Sequence, residues 1–537
     1  MPAKPQSKSN QKIKQKNQSA EHKSLLVMDK QSVVFPKTVF RFYWQMLKKF
    51  WKVSLSIFVL YMIVDVLNGI MPALTVRWII DGIDKADASS SLILQMLPII
   101  LLLSLCYFIM LTADILGELI RRYKIPFIGV KIHEILYRRI SKMPVAFFKK
   151  NSAGFLNQQM NNISSNFTTV AIYNVNSILA VFIVLFVNIT LLLRVHWSVV
   201  LIFSICAGYR FIHSIFLMGK LWQSAEKRAQ TEAYINSTYV DSLSNFLNIK
   251  LFQQNNSENK YLNTIRERYI VDRQEEYRWR NHFWIAPYSL EQICKVVLAI
   301  LLIRFYRIER MNLGDIAFAL TSFMTMMNIV RNMVWQLPDI AGVMASASQA
   351  YKDIIKPIDI EEPSEATNLK KKRHMIEFKN ISFRYTDTER WILKDMNLKI
   401  KEGESVGIVG LSGSGKSTLL YLLMRLYDTT SGTIKIDGDD IKNIRFDSLR
   451  NNISFVPQDS GMFNRTVAEN ISYGRPDATR EEIIEAAKQA HAHDFILGME
   501  KQYDSLVGER GLLISGGQRQ RLAIARTICH DAPIIVM

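Results

Sequence analysis

One glycine-rich stretch combines residue types and a spacing that suit phosphate chemistry. It fits the pattern G-x-x-x-x-G-K-[ST] and consists of Gly410, Leu411, Ser412, Gly413, Ser414, Gly415, Lys416 and Ser417. Such a turn between a strand and a helix directs several backbone N–H groups, and the positive end of the helix, at one point, which favours phosphate binding. Lys416 is expected to reach the β- and γ-phosphates of a nucleotide, and the Ser417 hydroxyl to ligate Mg²⁺.

The flanking residues have the patterns that such a loop requires. Residues 405–409 form a short apolar run that predicts a buried strand, and residues 418–425 carry apolar side chains at helical spacing. An ordinary flexible glycine turn is the alternative, but the joint presence of strand, helix, lysine and serine disfavours it. The sequence therefore predicts a nucleotide-binding loop that extends to Thr418.

Length and composition indicate a chain of several domains that contacts anionic surfaces. It has 537 residues, 49% of them hydrophobic, and a formal net charge of +19. Two to four domains are expected at this length. Nucleic acid could explain the positive charge, but the cations lie beside apolar runs, so the positive-inside rule of membrane proteins explains them more simply. The four dispersed cysteines, without a CxxC pair, are predicted to be reduced, and neither metal ligands nor disulfides.

The apolar runs predict six membrane spans that follow an N-terminal tail. Residues 1–24 are rich in Lys, Gln, Ser and Asn and predict a disordered tail without a cleaved signal peptide. Residues 41–52 are basic and aromatic, as in an amphipathic segment at a membrane surface. The predicted spans lie at about residues 53–71, 96–117, 170–193, 197–218, 284–303 and 316–335.

The charges between the spans predict their orientation. Asp81, Asp84 and Asp87 lie between the first two spans, whereas residues 118–165 carry many lysines and arginines. By the positive-inside rule the N-terminus and the 118–165 segment are cytosolic, and six crossings return the phosphate loop to the cytosol. The two long cytosolic segments are predicted to continue the membrane helices as hairpins.

The composition also predicts domain boundaries. A basic tail over residues 1–35 is followed by a membrane domain over 36–356, a polar linker over 357–374, and a soluble domain over 375–537. Alternation of apolar and polar residues predicts strands over 376–383 and 393–400. The six spans exclude a soluble nucleic-acid ATPase.

Two motifs follow the phosphate loop. Gln458 comes directly after an apolar run, a position that by itself carries little meaning. Further on, Ser515, Gly516, Gly517 and Gln518 open a helical segment. Free N–H groups at such a helix start form an anion site, but an ordinary N-capped helix with a glycine turn explains the residues equally well.

Together these motifs resemble the ATP-binding cassette (ABC) transporters, and specifically the exporter type that joins six membrane helices to one nucleotide-binding domain. The resemblance covers roughly residues 40–537. Residues 410–417 look like the Walker A motif, Gln458 like the Q-loop glutamine, and residues 514–518 like the signature Leu-Ser-Gly-Gly-Gln with Ile at its first place. Tyr385 lies where the family stacks an aromatic ring on adenine. Residues 466–471 resemble the helical subdomain, 508–511 the exporter loop before the signature, and 144–154 the first cytosolic hairpin.

The resemblance implies a fold and a mode of action. The fold is a helical transmembrane bundle with long cytosolic extensions, followed by an α/β P-loop domain. ATP and Mg²⁺ are the implied ligands, with Ser417 and Gln458 at the metal and Gln458 reporting nucleotide state to the membrane domain. In this family the signature of one cassette caps the ATP of another, so a homodimer or heterodimer of half-transporters is implied. ATP-driven closure would then export an amphipathic lipid, peptide or drug across a membrane, with a bacterial inner membrane favoured and no nucleic-acid partner.

The chain departs from the family at its last residues. Residues 531–537 resemble the Walker B strand, which the family follows with an Asp and a Glu that are missing here, as is the switch His. We interpret the sequence as a fragment or truncated product that binds ATP weakly at best and does not hydrolyse it at a normal rate. A catalytically inactive heterodimer partner and an ATP-gated channel or regulatory subunit are the alternative functions.

Several polar residues of the membrane half are candidates for substrate contact. Asp65, Asp114, Arg210 and His213 lie in or near apolar spans, where ionisable groups are costly. Positions near a span end, or facing a hydrated cavity, would explain them without a substrate. Asn328, Asn332 and Gln336 share one helix face, which would line a cavity or make hydrogen bonds between helices.

Overall fold

The computed structural model of the protein describes residues 35–84, 92–169, 175–308, 311–356, 360, 362–363, 365–369, 374–385, 388–458, 460–508 and 511–537. It divides into two compact units. One consists of residues 1–141 and 152–356, and the other of residues 142–151 and 357–537. The predicted tail over residues 1–24 and half of the predicted linker lie outside the described residues, as do Asp87, Glu509 and Arg510.

The first unit is built from helices. In chain order they are α1 (Val39–Lys49), α2 (Trp51–Asp84), α3 (Leu92–Ile140), α5 (Ala153–Phe167), α6 (Val175–Val195), α7 (Trp197–Ser244), α8 (Phe246–Leu251), α9 (Asn255–Arg307) and α10 (Leu313–Ile354), whereas α4 (Val145–Lys150) belongs to the second unit. The long helices α3, α7 and α9 continue far past the length of a bilayer crossing, as the sequence predicted for the cytosolic hairpins.

Five helices of this unit are long and apolar enough to cross a membrane, namely α2, α3, α7, α9 and α10. The helix α6 corresponds to the third predicted span, and its described apolar part is shorter, Ala180–Val195. The beginning of that span lies outside the described residues. All six predicted spans therefore coincide with helices, although the third lies only partly within the described residues.

The core of the first unit lies between α7, α9 and α10. Phe203, Leu298 and Phe323 are buried there, one from each of these helices. The amphipathic helix α1 packs its apolar face on other helices of this unit. The ring of Phe42 lies tilted against that of Tyr351 of α10, with the ring centroids 5.5 Å apart. Two basic residues of α1, Lys48 and Lys49, lie in its last turn. The predicted amphipathic segment is therefore a helix whose apolar face is covered by protein.

One sequence expectation in this unit is wrong. Cys206 of α7 and Cys294 of α9 are joined as a disulfide, with their Cα atoms 7.1 Å apart. Each lies on the buried face by which its helix packs on the other. The pairing depends on helix packing between residues 88 positions apart, which sequence spacing does not reveal. Cys106 and Cys529 are free.

The second unit contains two sheets. The strands β1 (Ile376–Phe383), β2 (Leu393–Ile400), β3 (Ser431–Ile436) and β4 (Asp439–Asp440) form an antiparallel sheet of order β2-β1-β3-β4. The strands β5 (Ile453–Phe455) and β6 (Ile534–Val536) pair in parallel. The predicted strands over residues 376–383 and 393–400 are thus confirmed.

Helices of the second unit surround two separate apolar cores. They are α11 (Lys416–Leu423), α12 (Phe446–Asn451), α13 (Val467–Ile471), α14 (Arg480–Gln489), α15 (His493–Leu497) and α16 (Gly516–His530). One core lies between the strands and α11. The other is formed by α13 to α16. Consequently the phosphate loop leads into a helix that packs in the first core, and the Ser-Gly-Gly-Gln motif leads into a helix that packs in the second.

Candidate functional site

The glycine-rich stretch forms a tight turn that ends at the start of α11. Gly413 and Gly415 have φ values of +80° and +93°, a region in which side chains with a Cβ are strained. A Cβ on Gly415 would also lie 3.0 Å from side-chain atoms of Ile392 and Leu393. Both the backbone conformation and the space therefore require glycine at position 415, which is the N-cap of α11.

Lys416 connects the two ends of the loop by hydrogen bonds. Its Nζ donates hydrogen bonds to the carbonyl oxygens of Gly410 and Leu411, at 2.7 and 2.9 Å. The side chain of Ser417 is exposed, and the first N–H groups of a helix have no acceptor within that helix. A triphosphate and its Mg²⁺ therefore fit this loop, with the lysine ammonium, free N–H groups and a hydroxyl at one place.

The predicted buried strand before the loop is not present. Residues 405–409 have no strand structure, and Val406 and Val409 are exposed, the latter by 94%. A strand needs a neighbour to satisfy its backbone N–H and C=O groups. None of the described strands borders residues 405–409, so the apolar pattern alone did not decide the local structure.

Tyr385 lies beside the helix that follows the phosphate loop, and its stacking on adenine stays a prediction. It follows β1, and its hydroxyl is 3.0 Å from the Thr418 hydroxyl on α11. Its ring packs edge-on against Phe383 and Tyr427, with centroids 5.0 and 5.3 Å away. The structure thus brings Tyr385 and Thr418 together at the loop.

An aromatic cluster that sequence reasoning missed continues from Tyr385 to the helix α4. The ammonium of Lys149 lies 4.9 Å from the ring centroid of Tyr421 and 6.0 Å from that of Tyr427. Burial raises the pKa of Tyr427, and the positive charge of Lys149 partly offsets this effect. The only sequence signal was the pair of tyrosines that flank the end of α11.

Gln458 comes shortly after β5, and its side chain is exposed. The structure gives it no hydrogen bond to the phosphate loop. In the described part of the chain, no group of three or more His, Cys, Asp or Glu residues could hold a metal. This does not conflict with Mg²⁺ at Ser417, because Mg²⁺ keeps several waters and binds largely through substrate phosphates. The joint role of Ser417 and Gln458 stays a prediction.

The Ser-Gly-Gly-Gln motif forms a capping box at the start of α16. The Ser515 hydroxyl accepts from the Gln518 N–H at 3.3 Å, and the Gln518 side chain accepts from the Ser515 N–H at 2.8 Å. Ser515, Gly516 and Gly517 are exposed, and no atom within 4 Å would contact a Cβ on Gly517. The ordinary helix cap is therefore present, and the N-terminal turn is also open to a ligand or another protein surface.

The membrane candidates differ in their surroundings. Arg210 is buried and makes an ion pair with Glu291 at 3.1 Å. Asp114 is exposed on α3, and Asp65 is partly buried on α2. Asn328 accepts a hydrogen bond from Arg331 of its own helix at 2.6 Å. Asn332 is exposed and Gln336 is half-buried on α10. Of these, Arg210 has the ionic partner that its burial requires.

Two known families match the chain, one over its membrane part and one over its nucleotide-binding part. Residues 54–330 match the ABC transporter transmembrane region, which is more than half of the chain, and residues 393–537 match the ABC transporter family. The chain belongs to the ABC transporter family. The resemblance of the sequence motifs to this family is thereby confirmed, together with the combination of a helical membrane domain and an α/β nucleotide-binding domain.

Individual relatives support this membership. A protein of Haemophilus influenzae, described as an uncharacterized ABC transporter ATP-binding protein, is 35% identical over 326 residues, which are 60% of this chain and 53% of the relative. A Staphylococcus aureus protein, provisionally described as a multidrug export ATP-binding/permease protein, is 50% identical over 187 residues, 35% of this chain and 32% of the relative. The chain thus spans about half the length, or less, of these relatives.

A solved structure has the same fold over most of its length. The structure of a bacterial Atm1-family ABC exporter with ATP bound superposes with a TM-score of 0.77 and 26% identity, covering 89% of this chain and 85% of that one. The expected multidomain fold of an ABC exporter is therefore confirmed.

Proposed function

We propose that this ABC transporter is an exporter half-transporter that uses ATP and Mg²⁺ to move an amphipathic molecule across a membrane. The observation that carries the proposal is the joint presence, in one chain, of long apolar helices and a glycine loop with positive φ angles that leads into Lys416. The multidrug-export description of the Staphylococcus aureus relative favours an amphipathic substrate.

Within the site, Lys416 and the loop N–H groups bind the phosphates, and Ser417 and Gln458 bind Mg²⁺. Mg²⁺ would supply charge neutralisation between the β- and γ-phosphates. Tyr385 supports the adenine from one side, and its hydrogen bond to Thr418 fixes the position of its ring. Every group in this assignment except Gln458 lies at the start of α11 or beside it.

A second chain completes the site. The exposed Ser515, Gly516 and Gly517, together with Gln518, cap the ATP held by the partner's loop. Large apolar side chains accompany both half-sites: Leu411 is 86% exposed at the phosphate loop, and Leu512 and Leu513 are 78% and 70% exposed before the capping turn. Exposed apolar groups of this size favour coverage by another protein surface. A dimer in which each loop faces the other chain's turn would cover both.

Coupling to the membrane helices would pass through α4. This short helix follows α3 in the chain, and its Lys149 contacts the rings of Tyr421 and Tyr427. Tyr427 in turn packs on Tyr385. A change at the adenine site can therefore move α4 through rings in direct contact, and α4 is covalently linked to the predicted second span.

The proposal is tested by ATP-dependent accumulation of dyes in proteoliposomes that contain the full-length protein. Rhodamine 123, N-phenyl-1-naphthylamine and 1-anilinonaphthalene-8-sulfonate serve as cationic, neutral and anionic probes. We expect at least one dye to accumulate against its gradient with MgATP, and the Lys416→Ala variant to lose this accumulation. Lys488→Ala, which changes an exposed lysine of α14, is the matched control.

The alternatives give different results in the same assay. A channel or regulatory subunit would let dye equilibrate without accumulating and without ATP turnover. An inactive heterodimer partner would bind ATP but pump only when a second, different chain is added. ATP-driven accumulation by this protein alone would exclude both.

A further inference from the structure

A buried charge cluster joins three helices of the membrane unit. Glu291 of α9 is 1% exposed and Arg210 of α7 is 2% exposed; their side chains form an ion pair at 3.1 Å through one carboxylate oxygen. The other oxygen of Glu291 lies 2.9 Å from Lys295 and 3.5 Å from Arg331 of α10. One carboxylate is therefore shared by three cations.

The positive charge of this cluster is not balanced by the residues around it. In the described part of the chain, Arg210, Lys295 and Arg331 make no ion pair with another carboxylate. The Nε of Arg210 is buried and has no hydrogen-bond partner. A buried charge without a partner is costly, and an ion pair that only joined two helices would need a single cation. The cluster is therefore suited to a further anion.

A cavity of about 390 Å³ lies between α7 and α9, the two helices that carry Arg210 and Glu291. Its lining is mostly apolar and aromatic, with two imidazoles, and consists of His213, Leu217, Trp279, His282, Ile285 and Ala286. His213 follows Arg210 by three residues, so the two side chains lie on one face of α7. The Nδ1 of His213 is buried and also lacks a partner.

We propose that the cavity and the cluster form one binding site for an amphipathic anion. The apolar body of the ligand lies against Leu217, Trp279 and Ile285, and its carboxylate, sulfonate or phosphate approaches His213 and Arg210. The positive charge of Lys295 and Arg331 strengthens this binding because the medium around a bilayer-embedded site screens charges weakly. This inference rests on the proposed export function and names the charge class of its substrate.

The test uses two dyes with the same aromatic body in nanodiscs of phosphatidylcholine. 1-Anilinonaphthalene-8-sulfonate carries a sulfonate, whereas N-phenyl-1-naphthylamine lacks it. Binding to the full chain is followed by energy transfer from tryptophan, with empty nanodiscs as the blank. Trp279→Phe removes a donor that lines the cavity, so it should lower the transfer from a dye bound there.

Two variants change the cluster in opposite directions. The double variant Lys295→Gln/Arg331→Gln removes two nearby positive charges but keeps the Arg210–Glu291 pair, so the sulfonate dye should bind about tenfold more weakly through the loss of electrostatic attraction. Glu291→Gln removes the carboxylate that the three cations share, and the same dye should bind more tightly. Neither change should alter the affinity of the neutral dye more than about twofold. Arg307→Gln, on an exposed arginine of α9, is the matched control.

The outcomes are decisive in either direction. Equal responses of the two dyes, or an unchanged sulfonate affinity in the double variant, would overturn the proposal. If Glu291→Gln fails to fold, as judged by size-exclusion chromatography, the double variant decides alone. Competition by added phosphatidylglycerol would identify an anionic lipid as the occupant, and its absence a soluble amphipathic anion; both support the site.

The dye measurement needs no nucleotide, so it is separable from the export function. Charge-selective binding without ATP-driven accumulation would retain the site and reject the exporter. Accumulation of cationic or neutral dyes with no charge selectivity in binding would retain the exporter and reject the site.

Discussion

Replacing Lys416 by methionine tests the chemistry of the phosphate loop most directly. The Nζ of Lys416 donates hydrogen bonds to two loop carbonyl oxygens at 2.7 and 2.9 Å. Binding of a triphosphate exchanges these contacts for contacts with the β- and γ-phosphates. Methionine keeps most of the length of the side chain and removes the charge, so the variant loses both sets of contacts.

The size of the effect follows from this exchange. A hydrogen bond to a charged group contributes roughly 1.5–3 kcal/mol, and a neutral one about 1 kcal/mol. Because the lysine gives up two carbonyl contacts on binding, the net loss for ATP should lie near the lower limit, about 1.5 kcal/mol. This corresponds to roughly tenfold weaker binding of MgATP.

The assay is calorimetric titration of the full chain in nanodiscs with MgATP and AMP. AMP lacks the two phosphates that Lys416 is expected to reach, so its affinity should change less than about twofold. Lys488→Met is the control for the loss of a positive charge elsewhere in the domain. An equal loss for AMP and ATP would show that the variant only collapses the loop, and unchanged ATP affinity would refute the assignment of Lys416.

Three further predictions concern the same domain. Lys149→Met should lower the stimulation of ATP hydrolysis by dyes about two- to fivefold, because the variant loses a cation–π contact of about 0.5–1 kcal/mol. The control variant Lys142→Met should leave this stimulation unchanged, and equal effects of the two variants would argue against the contact. Tyr385→Leu should weaken MgATP binding by more than about fivefold and Tyr385→Phe by less, with tripolyphosphate binding unchanged, because base stacking contributes about 1–3 kcal/mol. The Thr479 N–H, together with Arg475, lowers the pKa of Glu482 below its ordinary value of 4.5, so the stabilisation is present above that value and disappears as the pH falls through the lowered pKa. Glu482→Gln should therefore speed hydrogen exchange in residues 479–489 at about pH 7 but not at a pH below the lowered pKa of Glu482, and a difference that persists there would contradict this origin.

Sequence alone predicted the features that depend on local pattern. The phosphate loop forms at residues 410–417 and is followed by a helix, and β1 and β2 occupy their predicted residues. The apolar spans coincide with long helices because bilayer length and side-chain apolarity are both properties of a continuous segment. Each of these features is encoded within about 20 neighbouring residues.

Features that depend on pairing between distant segments were not predicted. The contact of Lys149 with Tyr421, and the disulfide between Cys206 and Cys294, join residues far apart in the chain. Residues 405–409 show the converse case, since their apolar pattern is that of a strand but none of the described strands pairs with them. Strand formation requires a hydrogen-bonding neighbour, so a pattern of five residues cannot specify it.

The membrane residues illustrate how partners, rather than position, separate functional candidates. Asp114 and Arg210 were equivalent by sequence, because each is an ionisable residue in or near an apolar span. In the structure Asp114 is exposed on α3, whereas Arg210 is buried against Glu291, with Lys295 and Arg331 competing for the same carboxylate. The excess of positive charge exists only because α7, α9 and α10 pack together. A site for an anion can therefore be inferred from the packed helices, although none of the three spans indicates it alone.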